Sequence, residues 1–184
     1  FRVHLGGAQA LIGVTPDLAI FGKALANGFP ISCVGGRREL MELIASGAVV
    51  HAGTFNGNPL GVAAALATIA ELRRDGGAAY ERLRTVGTRL MRGIREIAAA
   101  KGIPVLLQGP GPVFYMWLTD APEINDYAAS ERVSRAPYAR FGMALLAAGI
   151  RVIPGGRWYV SCSHTREDVD QTLEAVATAM DAVR

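Results

Sequence analysis

The sequence predicts an α/β fold that gives way, in its second half, to an α+β arrangement. Three observations predict it. Up to about Val50 short apolar runs alternate with Gly and Pro in an α/β order; a long amphipathic helix follows Asp75-Gly76-Gly77; beyond Pro104, paired strand-like runs are succeeded by helices with clear apolar faces. The domain boundary is placed at the start of the amphipathic segment, dividing the chain into 1–77 and 78–184.

In Leu18-Ala19-Ile20-Phe21, four apolar residues precede Gly22, which reads as a buried strand ending in a tight turn. Ile31 to Gly36 supplies a second strand, and Arg38 to Ala45 a short helix. Asn56-Gly57 marks a turn. Asn58-Pro59 then supplies an N-cap and a proline at the first helical position, opening a helix over Leu60–Arg74. Gly61 to Ala67 is small and apolar all round, so this helix is expected to be buried.

Past Asp75-Gly76-Gly77, the residues Leu83, Val86, Leu90, Ile94 and Ile97 recur three and four apart on one face of a helix ending near Lys101-Gly102. Arg82, Arg84, Arg89, Arg92 and Arg95 are spread around its polar arc with Glu81 and Glu96 among them, which reads as a solvated face. Val105–Gln108 and Val113–Leu118 flank Gly109-Pro110-Gly111-Pro112 as a strand pair. A helix from Pro137 buries Tyr138, Phe141 and Leu145, and strand-like runs follow at Ile150–Ile153 and Trp158–Ser161. The last helix opens on a capping box, Thr165 with Asp168, and carries the seam Val169, Leu173, Val176, Met180 and Val183.

At 184 residues with 51% hydrophobic content, the chain can bury a substantial core. A net charge of +3, with arginines and acids intermixed, argues against a nucleic-acid binder and leaves a small-molecule protein as the default. Cys33 and Cys162 stand far apart with no CxxC spacing, and His4, His51 and His164 lack metal spacing. Neither a disulfide framework nor a metal site is expected, and a cytoplasmic location fits best. No uninterrupted apolar stretch is long enough for a membrane span. Phe1 to Ala10 reads like the middle of a domain, so the chain is expected to be part of a longer protein. Gly109-Pro110-Gly111 is a poor dinucleotide fingerprint, and Gly22-Lys23-Ala24 lacks a phosphate-loop pattern.

Of only two lysines, Lys23 and Lys101, the first lies at the expected end of a buried strand. A charged ammonium there would carry a large desolvation cost, which favours the neutral amine that attacks an aldehyde. The alternative is a lysine that snorkels from a helix start into solvent.

Thr15-Pro16-Asp17-Leu18, Gly22-Lys23, Gly28-Phe29-Pro30 and Gly35-Gly36-Arg37, followed by Ala52-Gly53-Thr54-Phe55-Asn56-Gly57-Asn58-Pro59-Leu60, resemble the cofactor-lysine region of class III aminotransferases. The nearest flavour is that of the glutamate-1-semialdehyde 2,1-aminomutases and their aminotransferase relatives. Phe1-Arg2 to Gln9 and His164-Thr165-Arg166-Glu167-Asp168 extend the likeness to nearly the whole chain. It implies the C-terminal part of a fold-type I transferase: residues 1–77 close the large cofactor-binding domain and 78–184 form the small α+β domain.

The resemblance further implies pyridoxal 5'-phosphate as cofactor, with Lys23 forming the Schiff base and then shuttling a proton. Thr54 would bind the phosphate of a cofactor held mainly by the other subunit of a homodimer; a hydroxyl bonding its own turn is the alternative. Arg157 falls where relatives place groups that meet the substrate carboxylate or side chain, a surface arginine being the alternative. The aminomutases commonly carry a Glu-Ala pair near the position where this sequence has Gly155-Gly156-Arg157-Trp158, a departure that weakens the case for the mutase.

The expected function is therefore amino-group transfer on a small amino or keto acid, with intramolecular aminomutase activity or a non-catalytic truncated relative as alternatives. The family's acidic partner for the pyridinium nitrogen lies upstream of the matched segment. These residues alone are accordingly expected to bind the cofactor weakly and to turn over little.

Overall fold

The computed structural model describes residues 1–183 and separates the chain into two units, Phe1–Tyr80 and Glu81–Arg184. The first contains α1 (Gly7–Ile12), β1 (Leu18–Phe21), β2 (Cys33–Gly36), α2 (Arg38–Ala45), α3 (Pro59–Arg73) and the opening residues of α4 (Ala78–Ala100). β1 and β2 form an antiparallel ribbon in which Leu18 faces Gly36 and Phe21 faces Cys33. Its open end is tied by Asp17, whose carbonyl accepts from the Arg37 amide at 3.0 Å and whose carboxylate accepts from the guanidinium at 2.9 Å.

α3 starts for the reasons legible in its first residues. Asn58 Oδ1 accepts from the amides of Leu60 and Gly61, and Pro59 occupies a position whose N–H would have gone unbonded. The core of this unit is Leu25, Ala26 and Ala65, with Phe1, Phe21, Ile31, Ala64 and Ile69 packed against it.

Two expected burials are not found. β1 is not a buried strand: Leu18 is 51% and Ile20 80% exposed, because β1 has one neighbouring strand and no layer over its outer face among the described residues. α3 is not buried all round either. Only Gly61 and Ala65 are inside, while Leu60 and Leu66 face out, because a single face of the helix meets the 25–26 segment.

The second unit holds the rest of α4, then β3 (Leu106–Gln108), β4 (Val113–Trp117), α5 (Tyr127–Glu131), α6 (Ala136–Ala147), β5 (Arg157–Tyr159) and α7 (Arg166–Ala179). The three strands make an antiparallel sheet in the order β3-β4-β5. Its inner face presents Leu107, Phe114, Met116 and Trp158 to the helices' apolar seams, in which Leu90, Ile94, Phe141, Leu145, Val176 and Met180 are buried. Phe114 stacks on Trp158 at 5.6 Å between ring centroids, and Phe141 lies 6.5 Å from the same indole. α4 passes so near the turn before β4 that a Cβ on Gly87 would sit 2.1 Å from the carbonyl oxygen of Gly111, an approach only glycine permits.

Ile150–Ile153 is not a strand. The Ile150 amide is used to close the end of α6 on Leu145 O at 2.9 Å, Pro154 has no N–H to offer a ladder, and the place beside β4 is taken by β5. β5 itself ends at Tyr159 rather than Ser161, since the Ser161 amide bonds His164 Nδ1 at 2.9 Å. No helix among the described residues is long and apolar enough to cross a membrane.

The capping box that opens α7 forms as the sequence predicts. Thr165 Oγ1 accepts from the Asp168 amide, and the Asp168 carboxylate accepts from the Thr165 amide at 2.7 Å and its hydroxyl at 2.8 Å. The backbone amide, then the hydroxyl, hold the Asp168 carboxyl below its ordinary range. A carboxyl depressed in the folded state contributes stability above the unfolded value and loses it as pH falls through the folded one. Acid titration of helicity by circular dichroism is therefore expected to show a stability loss below the ordinary carboxylate range that is smaller in Asp168→Asn.

Phe141, fully buried between Tyr138 and Trp158, is the keystone of the second unit's core. Phe141→Ala is expected to cost about 3–5 kcal/mol. Both tryptophans, Trp117 and Trp158, lie in this unit, so denaturant unfolding followed by tryptophan fluorescence reads the loss directly.

Candidate active site

Lys23 begins a short 3-10 turn, Lys23–Leu25, immediately after β1 and Gly22. Its backbone is left-handed, with φ 53°, a conformation that costs a non-glycine residue about 1–3 kcal/mol. What holds it there is downstream: Leu25 and Ala26 are buried against Ala65 of α3, at 6% and 1% exposure, and the Leu25 amide bonds Gly22 O at 3.1 Å. The turn returns through a second left-handed residue, Asn27, and Gly28 before reaching β2.

The side chain of Lys23 is exposed and makes no ion pair among the described residues. The desolvated setting that the sequence predicts for this amine is thus absent, for the same reason that β1 is uncovered. Its backbone is fixed while its Nζ is accessible.

Thr54 lies in the 53–57 turn, in which the Asn56 amide bonds Gly53 O at 2.9 Å and the Asn56 side chain bonds His51 O at 3.3 Å. Those bonds shape the turn without Thr54, whose hydroxyl and amide have no hydrogen-bond partner among the described residues. The alternative of a hydroxyl bonding its own turn is therefore not observed. Two exposed, uncommitted donors on one residue suit a phosphate oxygen.

Arg157 opens β5 directly after Gly155 and Gly156, both left-handed at φ 93° and 104°. Strand alternation places Arg157 and Tyr159 on the outer face of the sheet and Trp158 on the inner one, and the register sets Arg157 opposite Tyr115. Tyr159, two residues along on the same face, and Tyr115 opposite set two phenols near the guanidinium, and interaction first with Tyr159 and then with Tyr115 raises the arginine further above its ordinary range. Arg157 forms no ion pair with a carboxylate among the described residues.

A cavity of about 140 Å³ is lined by Arg157 and Tyr159 together with Arg151, Ile153, His164 and Thr172, so a cationic group and apolar surface border the same small space. No group of three or more His, Cys, Asp or Glu side chains among the described residues could hold a metal ion.

Lys23 and Thr54 occur on separate loops of the first unit with no hydrogen bond between them, and Arg157 belongs to the second unit. Sequence reasoning did not find Tyr115 and Tyr159. The i, i+2 spacing of Arg157 and Tyr159 was available as a signal; the pairing with Tyr115 appears only once the register is known.

The first unit thus carries a lysine whose backbone is fixed and whose amine is open. The aminotransferase class-III family model matches residues 6–180, and the chain belongs to that family. It is 41% identical to a glutamate-1-semialdehyde 2,1-aminomutase of Thermomicrobium roseum over 100% of this chain and 43% of that protein.

Among solved structures, it matches an omega-transaminase from Sphaerobacter thermophilus with a TM-score of 0.87 and 30% identity, covering 100% of this chain and 42% of that one. The internal aldimine form, with PLP, of the FumI protein of Sphingopyxis sp. MTA144 matches with a TM-score of 0.82 and 28% identity, over 99% and 40% of the two chains. The chain thus spans about two fifths of the length of these relatives, and its fold is that of the corresponding part of a fold-type I transferase, as the sequence predicts.

At Gly156 an added Cβ would lie 2.5 Å from both Met116 O and Tyr115 Cε1, in a backbone conformation unfavourable to any side chain. Gly156→Ala is expected to destabilise the second unit by at least about 2 kcal/mol. The tryptophan-reported denaturation midpoint measures it, and Gly149→Ala, also left-handed but with open space around it, is expected to lose less.

Proposed function

We propose that this chain supplies the cofactor lysine of a pyridoxal-phosphate enzyme that moves an amino group on a small amino or keto acid. The observation that carries the reading is Lys23 itself: a non-glycine residue kept in a strained backbone by buried neighbours, with its amine free, in a chain of the class III aminotransferase family. Strain of this kind gathers where a side chain must be aimed.

The residues fit the cofactor. Pyridoxal phosphate, when bound, supplies an aldehyde that condenses with amines and a ring that draws electrons from the substrate carbon. Lys23 Nζ would hold the cofactor through its amine and would serve as the base that takes up a proton from the substrate's carbon. The hydroxyl and amide of Thr54 donate to the phosphate, and Arg157 pairs with the substrate carboxylate.

A homodimer with a shared active site is part of the proposal. The exposed apolar side chains of the first unit, Ile20, Phe55, Leu60 and Leu66 among them, support a covering surface there. A cytoplasmic enzyme is part of the proposal, in keeping with Cys33 and Cys162 standing far apart in the sequence without a CxxC pattern. These residues alone are proposed to be inactive, because the family's acidic partner for the cofactor nitrogen lies outside the matched segment.

A second reading, intramolecular aminomutase, is favoured by the name of the 41% identical relative. Gly155-Gly156-Arg157-Trp158 in place of a Glu-Ala pair favours intermolecular transfer.

Borohydride reduction of the full-length holoenzyme, followed by peptide mass analysis, is expected to tag Lys23, and Lys23→Ala to lose both the tag and turnover by at least about a thousandfold. A tag on another residue rules the assignment out. Turnover of glutamate-1-semialdehyde without any added keto acid would establish the mutase; the transaminase reading expects strict dependence on a keto acid.

A further inference from the structure

The surroundings of Arg157 are built to a degree that a surface arginine does not require. Gln108, Tyr115 and Arg157 form one row across the outer face of the three-stranded sheet, with Tyr159 two residues along from Arg157 on the same face. Within that row Gln108 is already committed, since its Oε1 accepts from the Ile124 amide at 3.2 Å.

The Tyr115 ring is held on two sides. Trp117 stacks on it at 4.0 Å between centroids and 19° between planes. On its other neighbour, the Gly155-Gly156 turn, the ring lies so close that a Cβ on Gly156 would come within 2.5 Å of Tyr115 Cε1, and one on Gly155 within 3.6 Å of the Tyr115 hydroxyl. The backbone that launches Arg157 therefore rests on a ring that cannot swing. A guanidinium has five N–H donors in a rigid plane, and Tyr159, on the same strand face and lining the same cavity, sets a phenol oxygen within range to take one of them and leave the others for a ligand.

We propose that Tyr115 and Tyr159 are positioning residues that orient Arg157 for a substrate carboxylate, Tyr159 through its hydroxyl and Tyr115 as the aromatic wall beneath the Gly155-Gly156 turn. This inference rests on the reading of Arg157 as the carboxylate ligand and deepens it. The ligand class it names is a carboxylate with apolar or aromatic substance beside it, because the Tyr115 and Tyr159 rings share this face with the cation. A phenol serves here where a carboxylate could not: it restrains the guanidinium without neutralising it, so the full positive charge stays available to the incoming anion.

The test uses the full-length holoenzyme, with benzoate and its neutral isostere benzamide as probes, read by isothermal titration calorimetry. The wild type is expected to bind benzoate more tightly than benzamide, and Arg157→Ala to abolish that preference. Tyr159→Phe and Tyr115→Leu are each expected to weaken benzoate about fivefold while leaving benzamide where it was, a selective effect that loss of general packing would not produce.

If both tyrosine variants bind benzoate as the wild type does, or lose benzoate and benzamide in equal measure, the positioning role is overturned while the role of Arg157 stands. If Arg157→Ala leaves the preference for benzoate intact, or the wild type shows none, the carboxylate reading of Arg157 fails and the positioning role fails with it.

Discussion

A lysine whose neighbours Leu25 and Ala26 are sunk against Ala65 cannot relax its backbone without drawing both apolar side chains back into water. Burying a leucine side chain is worth about 1.5–3 kcal/mol, comparable with the cost of the left-handed conformation at Lys23, so the anchor can hold the strain. The small side chain of Ala65 and the bare Gly61 let α3 come close enough to form that anchor; a Cβ on Gly61 would already press on Ile31 at 3.3 Å. The start of α3 at Asn58-Pro59 thereby matters to the lysine, since it sets where Gly61 and Ala65 fall.

The second unit solves a related problem with glycine instead of strain. Gly87 lets α4 approach the turn at Gly111, and Gly156 lets the chain entering β5 pass under Tyr115 and beside Met116 O. In each case the missing Cβ is what brings an aromatic or backbone surface into contact with a segment that carries a polar group. The inner face of the sheet, with Phe114, Met116 and Trp158 in the core, fixes the strands, and the outer face presents Arg157, Tyr159 and Tyr115.

What was legible in the sequence divides along physical lines. Features set by neighbours a turn away could be read: the Asn58 cap, the Thr165–Asp168 box, the buried triad Tyr138, Phe141 and Leu145 on α6, and the long seam of α4. Burial of Leu18–Phe21 and of α3 could not, because an apolar run records that a segment prefers cover and not that cover exists among these residues. Ile150–Ile153 misled for a similar reason, since β-branched residues favour extended backbone whether or not a partner strand is present. The class III likeness pointed to Lys23, Thr54 and Arg157, yet the residues around Arg157 stayed hidden because strand register, not spacing, brings Tyr115 to it.

Exposure itself shapes how such a site must work. A hydrogen bond made in water exchanges one partner for another and contributes little net, so two uncommitted donors such as those of Thr54 would hold an anion only weakly while the turn stays wet. Phe55 beside them and Leu60 at the start of α3 are 78% and 70% exposed. A surface covering those apolar side chains would also expel water from Thr54, lowering the local dielectric and strengthening any charge-assisted bond its donors make to an anion. On the proposed phosphate role of Thr54, hydrophobic cover and anion binding would be coupled at this turn, since burial of Phe55 and Leu60 would be the event that makes the Thr54 donors effective.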